Sequence, residues 1–228
     1  MTVKVALIGA SGRMGREIDA LISEEKQWRV SQKVGHGVGE IESVDQLNPK
    51  EVDIVIDFST ASLFSSVLAW CTKHKKPLVS GTTGLSEKDL ESLESASSSL
   101  PVLWSANMSL GIAWLSEIIK QLAPLAASFD FQIEEVHHNK KIDSPSGTAK
   151  HLQQVLEKYV DAEAPQPLAI RGGGVFGIHK VWAMSDEEVI TVEHQALNRT
   201  VFAKGAVKAA KWLYGKPNGR YLISSLLS

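Results

Sequence analysis

The chain has a single cysteine, Cys71, in 228 residues. One thiol cannot build an intramolecular disulfide framework, so a reducing compartment is expected. No apolar run approaches the roughly 20 residues needed to span a bilayer. No signal-peptide core precedes the strand pattern that starts at Thr2, and the expected location is cytoplasmic, without a membrane partner. Charge of one sign is missing too: the formal net charge is −2, which argues against a protein built to coat nucleic acid or anionic lipid. Internal repeats and low-complexity tracts are absent. The adjacent pair His137-His138 lacks a third ligand at useful spacing, so no metal is expected. What remains is an ordinary soluble composition, 43% hydrophobic and 22% charged, long enough for one large domain or two small ones.

What is there begins with Val3-Lys4-Val5-Ala6-Leu7-Ile8, a β-prone apolar run of the kind buried on both faces of a parallel sheet. It leads straight into Gly9-Ala10-Ser11-Gly12-Arg13-Met14-Gly15 and then a helix with Met14, Ile18, Leu21 and Ile22 on its apolar face. Strand, glycine turn and helix in succession form a dinucleotide-binding arrangement. Glycine lets the backbone approach a pyrophosphate, and the helix N-terminus offers N–H groups and a positive dipole end. The spacing is G-x-x-G-x-x-G, which a ligand-free turn also satisfies; Arg13 at the helix mouth favours the phosphate reading. The second strand, 28–34, ends without the Asp or Glu that binds ribose hydroxyls at NAD sites. Lys33 and His36 stand there instead, compatible with a 2′-phosphate or with plain surface, and the first carboxylate is Glu40.

A third strand (51–58) and a helix carrying Leu63, Val67, Leu68 and Cys71 follow, which makes Cys71 a core thiol. The strand 77–80 stops at Gly81-Thr82-Thr83-Gly84, and the strand 101–104 stops at Ser105-Ala106-Asn107-Met108-Ser109. Both turns sit at carboxyl ends of strands, where open α/β sheets bind ligands. Strands alternating with helices imply a parallel sheet. The expected fold is α/β: a Rossmann-type parallel-sheet domain plus a smaller α+β substrate domain with an open mixed sheet. The dinucleotide-binding domain is expected at 1–106 and 202–228, and the substrate-binding and oligomerisation domain at 107–201.

The second half holds the densest chemistry, Glu134-Glu135-Val136-His137-His138-Asn139-Lys140-Lys141-Ile142-Asp143-Ser144-Pro145-Ser146-Gly147-Thr148-Ala149. A strand at 129–136 enters it. Ser144 as N-cap and Pro145 at the first helical position lead out of it. His137 and Lys141, four residues apart, fall on one side and suit proton transfer, carboxylate binding or both. Gly147 and Thr148 offer N–H groups and a hydroxyl at a helix N-terminus, fit for a carboxylate. A solvated basic loop has the same composition. Glu134 and Glu135 read as strand-end or surface residues, His179 and His194 as strand residues, and Arg171 with its glycines as a flexible anion-binding flap. A Pro-bearing connection (162–167) and a final helix (204–212) complete the chain.

Taken together, Gly9-x-x-Gly12-Arg13-Met14-Gly15, Asp57-Phe58-Ser59, Gly81-Thr82-Thr83-Gly84, Ala106-Asn107-Met108-Ser109 and Glu135-x-His137-His138-x-x-Lys141-x-Asp143-x-Pro145-Ser146-Gly147-Thr148-Ala149 resemble the 4-hydroxy-tetrahydrodipicolinate (dihydrodipicolinate) reductases of diaminopimelate and lysine biosynthesis. The resemblance implies reduction of a small cyclic imine dicarboxylate by NADPH or NADH. It implies a cofactor on Gly9, Ala10, Ser11, Gly12, Arg13, Met14, Gly81, Thr82, Thr83, Ser105, Ala106, Asn107 and Met108. His137 would be proton donor and acceptor and Lys141 proton donor, with His138, Gly147 and Thr148 on the substrate. A homotetramer built through the second domain's sheet is also implied. Asn139 and Lys140 replace the family's more usual Arg-His pair, and the chain is trimmed between its second and third strands. Rival readings are a dehydrogenase of another small carboxylate, such as aspartate, and a nucleotide sensor without turnover.

Overall fold

The computed structural model describes residues 2–37, 41–160 and 164–227; Glu40, and Ala162 and Glu163 of the connection, lie outside them. In chain order the elements are β1 (Val3–Ile8), α1 (Arg13–Ser23), β2 (Trp28–Val34), β3 (Ile54–Asp57), α2 (Ala61–His74), β4 (Leu78–Ser80), α3 (Glu87–Ser97) and β5 (Pro101–Trp104). There follow α4 (Leu110–Lys120), β6 (Asp130–His137), α5 (Gly147–Tyr159), β7 (Leu168–Arg171), β8 (Ile178–Met184), β9 (Val189–Gln195), α6 (Thr200–Leu213) and β10 (Gly219–Tyr221). The chain divides into two compact units, residues 1–108 with 202–228, and 109–201. The second unit opens at Ser109 rather than Asn107 because the Met108 side chain is packed in the first unit's core.

The first unit is a six-stranded sheet in the order β10-β5-β4-β3-β1-β2, parallel throughout. Its central strands are apolar on both faces, as a sheet covered by helices on both sides requires. One layer packs Phe64, Val67, Cys71 and Leu93 of α2 and α3, the other Ile18, Ile22, Ala203, Ala206 and Ala210 of α1 and α6. Each fully buried large aliphatic side chain contributes about 1.5–3 kcal/mol. Between β2 and β3 the described residues hold two short 3-10 turns, capped by Ser43 and Asn48, and Ile41 bridges Val34.

The second unit is a mixed four-stranded sheet, β7-β6-β8-β9, with β6 and β7 parallel and the other pairs antiparallel. Helices α4 and α5 cover one face, on Phe131, Ile133, Val181 and Ala183. Helix α4 stops at Lys120, and a 3-10 turn takes Ala123–Leu125. Pro124 lacks the N–H that a continued helix needs. Helix α5 starts later than expected: Ser146 is its N-cap, Gly147 its first residue, and Pro145 precedes the cap.

Candidate active site

Strand β6 buries every second residue, Phe131, Ile133, Glu135 and His137, on the face covered by α4 and α5. Glu135 is therefore not a surface residue but a fully buried carboxylate, and such a charge persists only when it is paired and hydrogen-bonded. Its partners are all present. Arg171 donates from Nη1 to Oε2 at 2.9 Å and from Nη2 to Oε1 at 2.6 Å. The Ser146 N–H donates to Oε1 at 3.0 Å, and His137 Nδ1 bonds Oε2. Burial alone would raise the Glu135 carboxyl, but these bonds from Arg171, His137 and Ser146 hold it below the usual range. Burial lowers the His137 pKa; Glu135 pulls it partly back up, while Lys141 and Arg171 push it down again.

Beyond His137 the loop is pinned from several sides. The His138 N–H donates to Val175 O at 2.7 Å and the Gly172 N–H to His137 O at 2.9 Å. Arg171 Nη2 also donates to Asp143 O at 2.8 Å. Arg171 is therefore held by Glu135 and the loop backbone through Nη1 and Nη2, with Nε buried and without a partner among the described residues, rather than standing free on a flap. Lys141 Nζ lies 2.8 Å from Asp143 Oδ1, whose other oxygen accepts from Gly147 N at 3.4 Å. Burial works against the Asp143 charge, but Lys141 and Gly147 hold its carboxyl below the usual range. His137, Lys141, Gly147 and Thr148 are gathered in one segment around the start of α5, and the His138 Nδ1 is buried without a partner among the described residues. Lys140 is exposed.

His179 and His194 are strand residues with specific partners. His179 stands opposite Glu135 across the β6–β8 ladder, with its ring 5.1 Å from that of His137 and its Nε2 3.2 Å from Ser146 Oγ. His194, next in the row, sets Nε2 3.3 Å from Ser109 Oγ, the N-cap of α4. Sequence reading left Glu135 and His179 as plain strand or surface residues and gave Arg171 to an anion-binding flap. The signal was the period-2 alternation, which places Glu135 in the same inward row as Ile133 and His137.

In the first unit, the turns at 9–15, 81–84 and 105–109 all lie at the carboxyl ends of parallel strands β1, β4 and β5. Gly9 has φ of 79°, and a Cβ there would lie 2.4 Å from Phe58 O. A Cβ on Gly15 would lie 2.2 Å from Gly9 O, so only glycine lets α1 pack this close to the turn. The N-cap of α1 is Gly12, with no side-chain cap and no acidic residue in the first turn. Its N–H groups and positive dipole end suit a phosphate. Thr82 is buried, with its hydroxyl donated to Asp57 Oδ2 at 2.8 Å and its carbonyl accepting from Trp104 Nε1 at 2.8 Å. Met108 is core, whereas Arg13, Thr83 and Ala106 are exposed. Lys33 is paired with Asp19 of α1 at 2.7 Å, and the His36 N–H donates to Ser11 Oγ at 3.2 Å.

Two family models, described as dihydrodipicolinate reductase, N-terminus, and dihydrodipicolinate reductase, C-terminus, match residues 3–108 and 111–227. The chain belongs to the dihydrodipicolinate reductase family. Membership makes it an NAD(P)H-dependent oxidoreductase, in a family serving diaminopimelate and lysine synthesis. A 4-hydroxy-tetrahydrodipicolinate reductase of Bdellovibrio bacteriovorus is 49% identical over 225 residues, 99% of this chain and 96% of the relative. The Rickettsia canadensis reductase is 36% identical over 98% of each chain. A dipicolinate-bound dihydrodipicolinate reductase from Paenisporosarcina sp. TG-14 superposes with a TM-score of 0.76, at 21% identity, over 97% of this chain and 98% of its own; at that identity the likeness speaks for the fold. For a reductase of this family the first unit fits a dinucleotide, because the glycine cradle and uncapped α1 leave backbone for phosphates. Among the described residues no group of three or more His, Cys, Asp or Glu is placed to hold a metal ion, and no helix is long and apolar enough to cross a membrane.

Proposed function

We propose that the chain converts 4-hydroxy-tetrahydrodipicolinate to tetrahydrodipicolinate, taking up one hydride and one proton and releasing water. The observation that carries this reading is the union, in one segment, of a protonatable His137, the ammonium of Lys141 and the N-terminus of α5 at Gly147 and Thr148. When bound, NADPH or NADH supplies the hydride. The residues assigned to hold that dinucleotide are Gly9, Ala10, Ser11, Gly12, Arg13 and Met14, with Gly81, Thr82 and Thr83, and Ser105, Ala106, Asn107 and Met108. Thr82 and Met108 would serve through backbone groups, since their side chains are buried.

In the second unit, Gly147 N–H and Thr148 bind a substrate carboxylate at the positive end of α5, and the unpartnered Nδ1 of His138 adds a polar contact. His137 exchanges a proton at Nε2, and Lys141 donates one from Nζ. Substrate carboxylate would compete with Asp143 for Lys141 and the Gly147 N–H. On this reading residues 1–106 with 202–228 serve the dinucleotide, joined by Asn107 and Met108 at the boundary, and the remainder of 107–201 serves the substrate. Assembly as a cytoplasmic homotetramer through the open face of the second sheet is part of the same proposal; Leu168, Ile170 and Val189 are exposed there. The decisive assay follows NADPH and NADH oxidation with freshly generated 4-hydroxy-tetrahydrodipicolinate. Substrate-dependent oxidation with at least one cofactor is expected, and none with either would overturn the proposal.

A further inference from the structure

We infer that Glu135 and Arg171 are positioning residues for the reaction, holding the His137 ring with Nδ1 protonated and Nε2 as the working nitrogen, and tying that ring to the start of α5. The inference rests on the reading of His137 as the proton-handling group.

The geometry leaves the Glu135 carboxylate one arrangement. An ionised carboxylate only accepts hydrogen bonds, so the ring nitrogen against it, His137 Nδ1, must carry the proton. That leaves the lone pair of the neutral ring on Nε2, which has no hydrogen-bond partner among the described residues. On that side the chain places Gly177, where a Cβ would lie 2.9 Å from Nε2; glycine keeps the nitrogen uncovered. The same carboxylate accepts the Ser146 N–H, one residue before the proposed carboxylate-binding turn. Arg171 does two things at once. It takes both Glu135 oxygens and binds Asp143 O, thereby anchoring the loop that carries Lys141. It also offsets part of the Glu135 charge that His137 feels, while leaving the carboxylate as an oriented acceptor.

The charged and titratable groups facing the His137 ring are Glu135 from its own strand, Lys141 from the next loop, Arg171 from β7 and His179 from β8. Removing the Glu135 charge takes away what favours the protonated ring. Removing the Arg171 charge takes away part of what disfavours it. The two changes therefore move His137 titration in opposite directions, which a merely structural pair would not do.

The test is the pH profile of kcat/KM for Glu135→Gln and Arg171→Gln beside the parent and His137→Gln. Expected are a fall in kcat of about 10- to 100-fold, within what general acid–base catalysis contributes, and NADPH dissociation constants within about twofold of the parent. The His137-dependent limb should move to lower pH in Glu135→Gln and to higher pH in Arg171→Gln, by on the order of one unit each. Parent-like kcat and an unmoved limb in Glu135→Gln, with His137→Gln inactive, overturn this inference alone. A fully active His137→Gln overturns the underlying assignment instead. Should either variant fold poorly, nitrogen NMR of the parent enzyme labelled in histidine decides. A protonated Nδ1 and an unprotonated Nε2 on His137 support the inference, and the opposite tautomer sinks it.

Discussion

His179 shows how one residue links the sheet to acid sensitivity. Burial, reinforced by the neighbouring His137, pushes its pKa down from 6.5 to about 3, so in the folded protein its ring is neutral at every ordinary working pH. Below its unfolded pKa the unfolded chain binds a proton that the folded chain refuses, and stability must fall as pH falls. The window runs from about 6.5 down to about 3, and one such proton is worth roughly 1.4 kcal/mol per pH unit. Between pH 6.5 and 5 the loss from His179 alone is therefore about 2 kcal/mol. Urea unfolding at the two pH values should show His179→Gln losing less stability than the parent by that amount; equal losses would mean the ring accepts a proton in place. Burial lowers His137 and His194 too, and both act in the same sense. At the proposed reaction centre, His137→Gln with Lys141→Ala should reduce turnover by at least the 10²–10⁴-fold typical of general acid–base groups. NADPH affinity by calorimetry should stay close to that of the parent, since neither residue lies in the first unit's glycine turns. Parallel loss of NADPH affinity would contradict that division of labour.

Among the elements, α5 is the one whose start matters most. The Ser146 hydroxyl accepts from Ala149 N at 3.2 Å and faces His179, while the Ser146 N–H is taken by Glu135. Removing the cap with Ser146→Ala should cost about 1 kcal/mol of stability in chemical denaturation. It should also raise the substrate KM more than it lowers kcat, because the frayed turn is the one proposed to hold a carboxylate; a change in kcat alone would contradict that role. The sequence around this helix shows where reading runs out. Ser144-Pro145 and Ser146-Gly147 both satisfy local start signals, and the choice is made by Glu135 and His179, which reach Ser146 from β6 and β8. By contrast β1, the glycine turn and α1 were legible because apolar runs and helical spacing are local facts. The two-residue alternation of β6 was equally legible, yet a glutamate in an apolar row reads as surface until Arg171, 36 residues later, is seen to pair with it. Strand β10 was missed outright. It is three residues long, contains Arg220, and exists because β5 offers it a parallel edge.

At the scale of the whole molecule, each unit has its own core, and what distinguishes the second is a sheet covered on one face only. Leu168 is 55% exposed, Ile170 48% and Val189 57%, and all three belong to the uncovered face. Leu168 and Ile170 are next to Glu134 and Val136 of β6, and Val189 is opposite Met184 of β8. On that face Lys180 pairs with Glu193 at 3.1 Å and lies over the Trp182 ring, and Gln132, Glu134, Thr191 and Gln195 share the same side of the sheet. Exposed apolar side chains interspersed with paired charges suit a partner that repeats the same surface, the isologous contact by which most homo-oligomers close. Ile170 is 48% exposed and pairs with Val136, on the sheet face opposite Glu135 and His137. Ile170→Glu should therefore leave the fold intact while placing an unpaired charge in a copy-to-copy contact. Light scattering at micromolar concentration should give a tetramer for the parent and a smaller species for the variant, at matched circular dichroism. A monomeric parent would remove the assembly from the proposal, and an unshifted tetramer in Ile170→Glu would move the contact to another face.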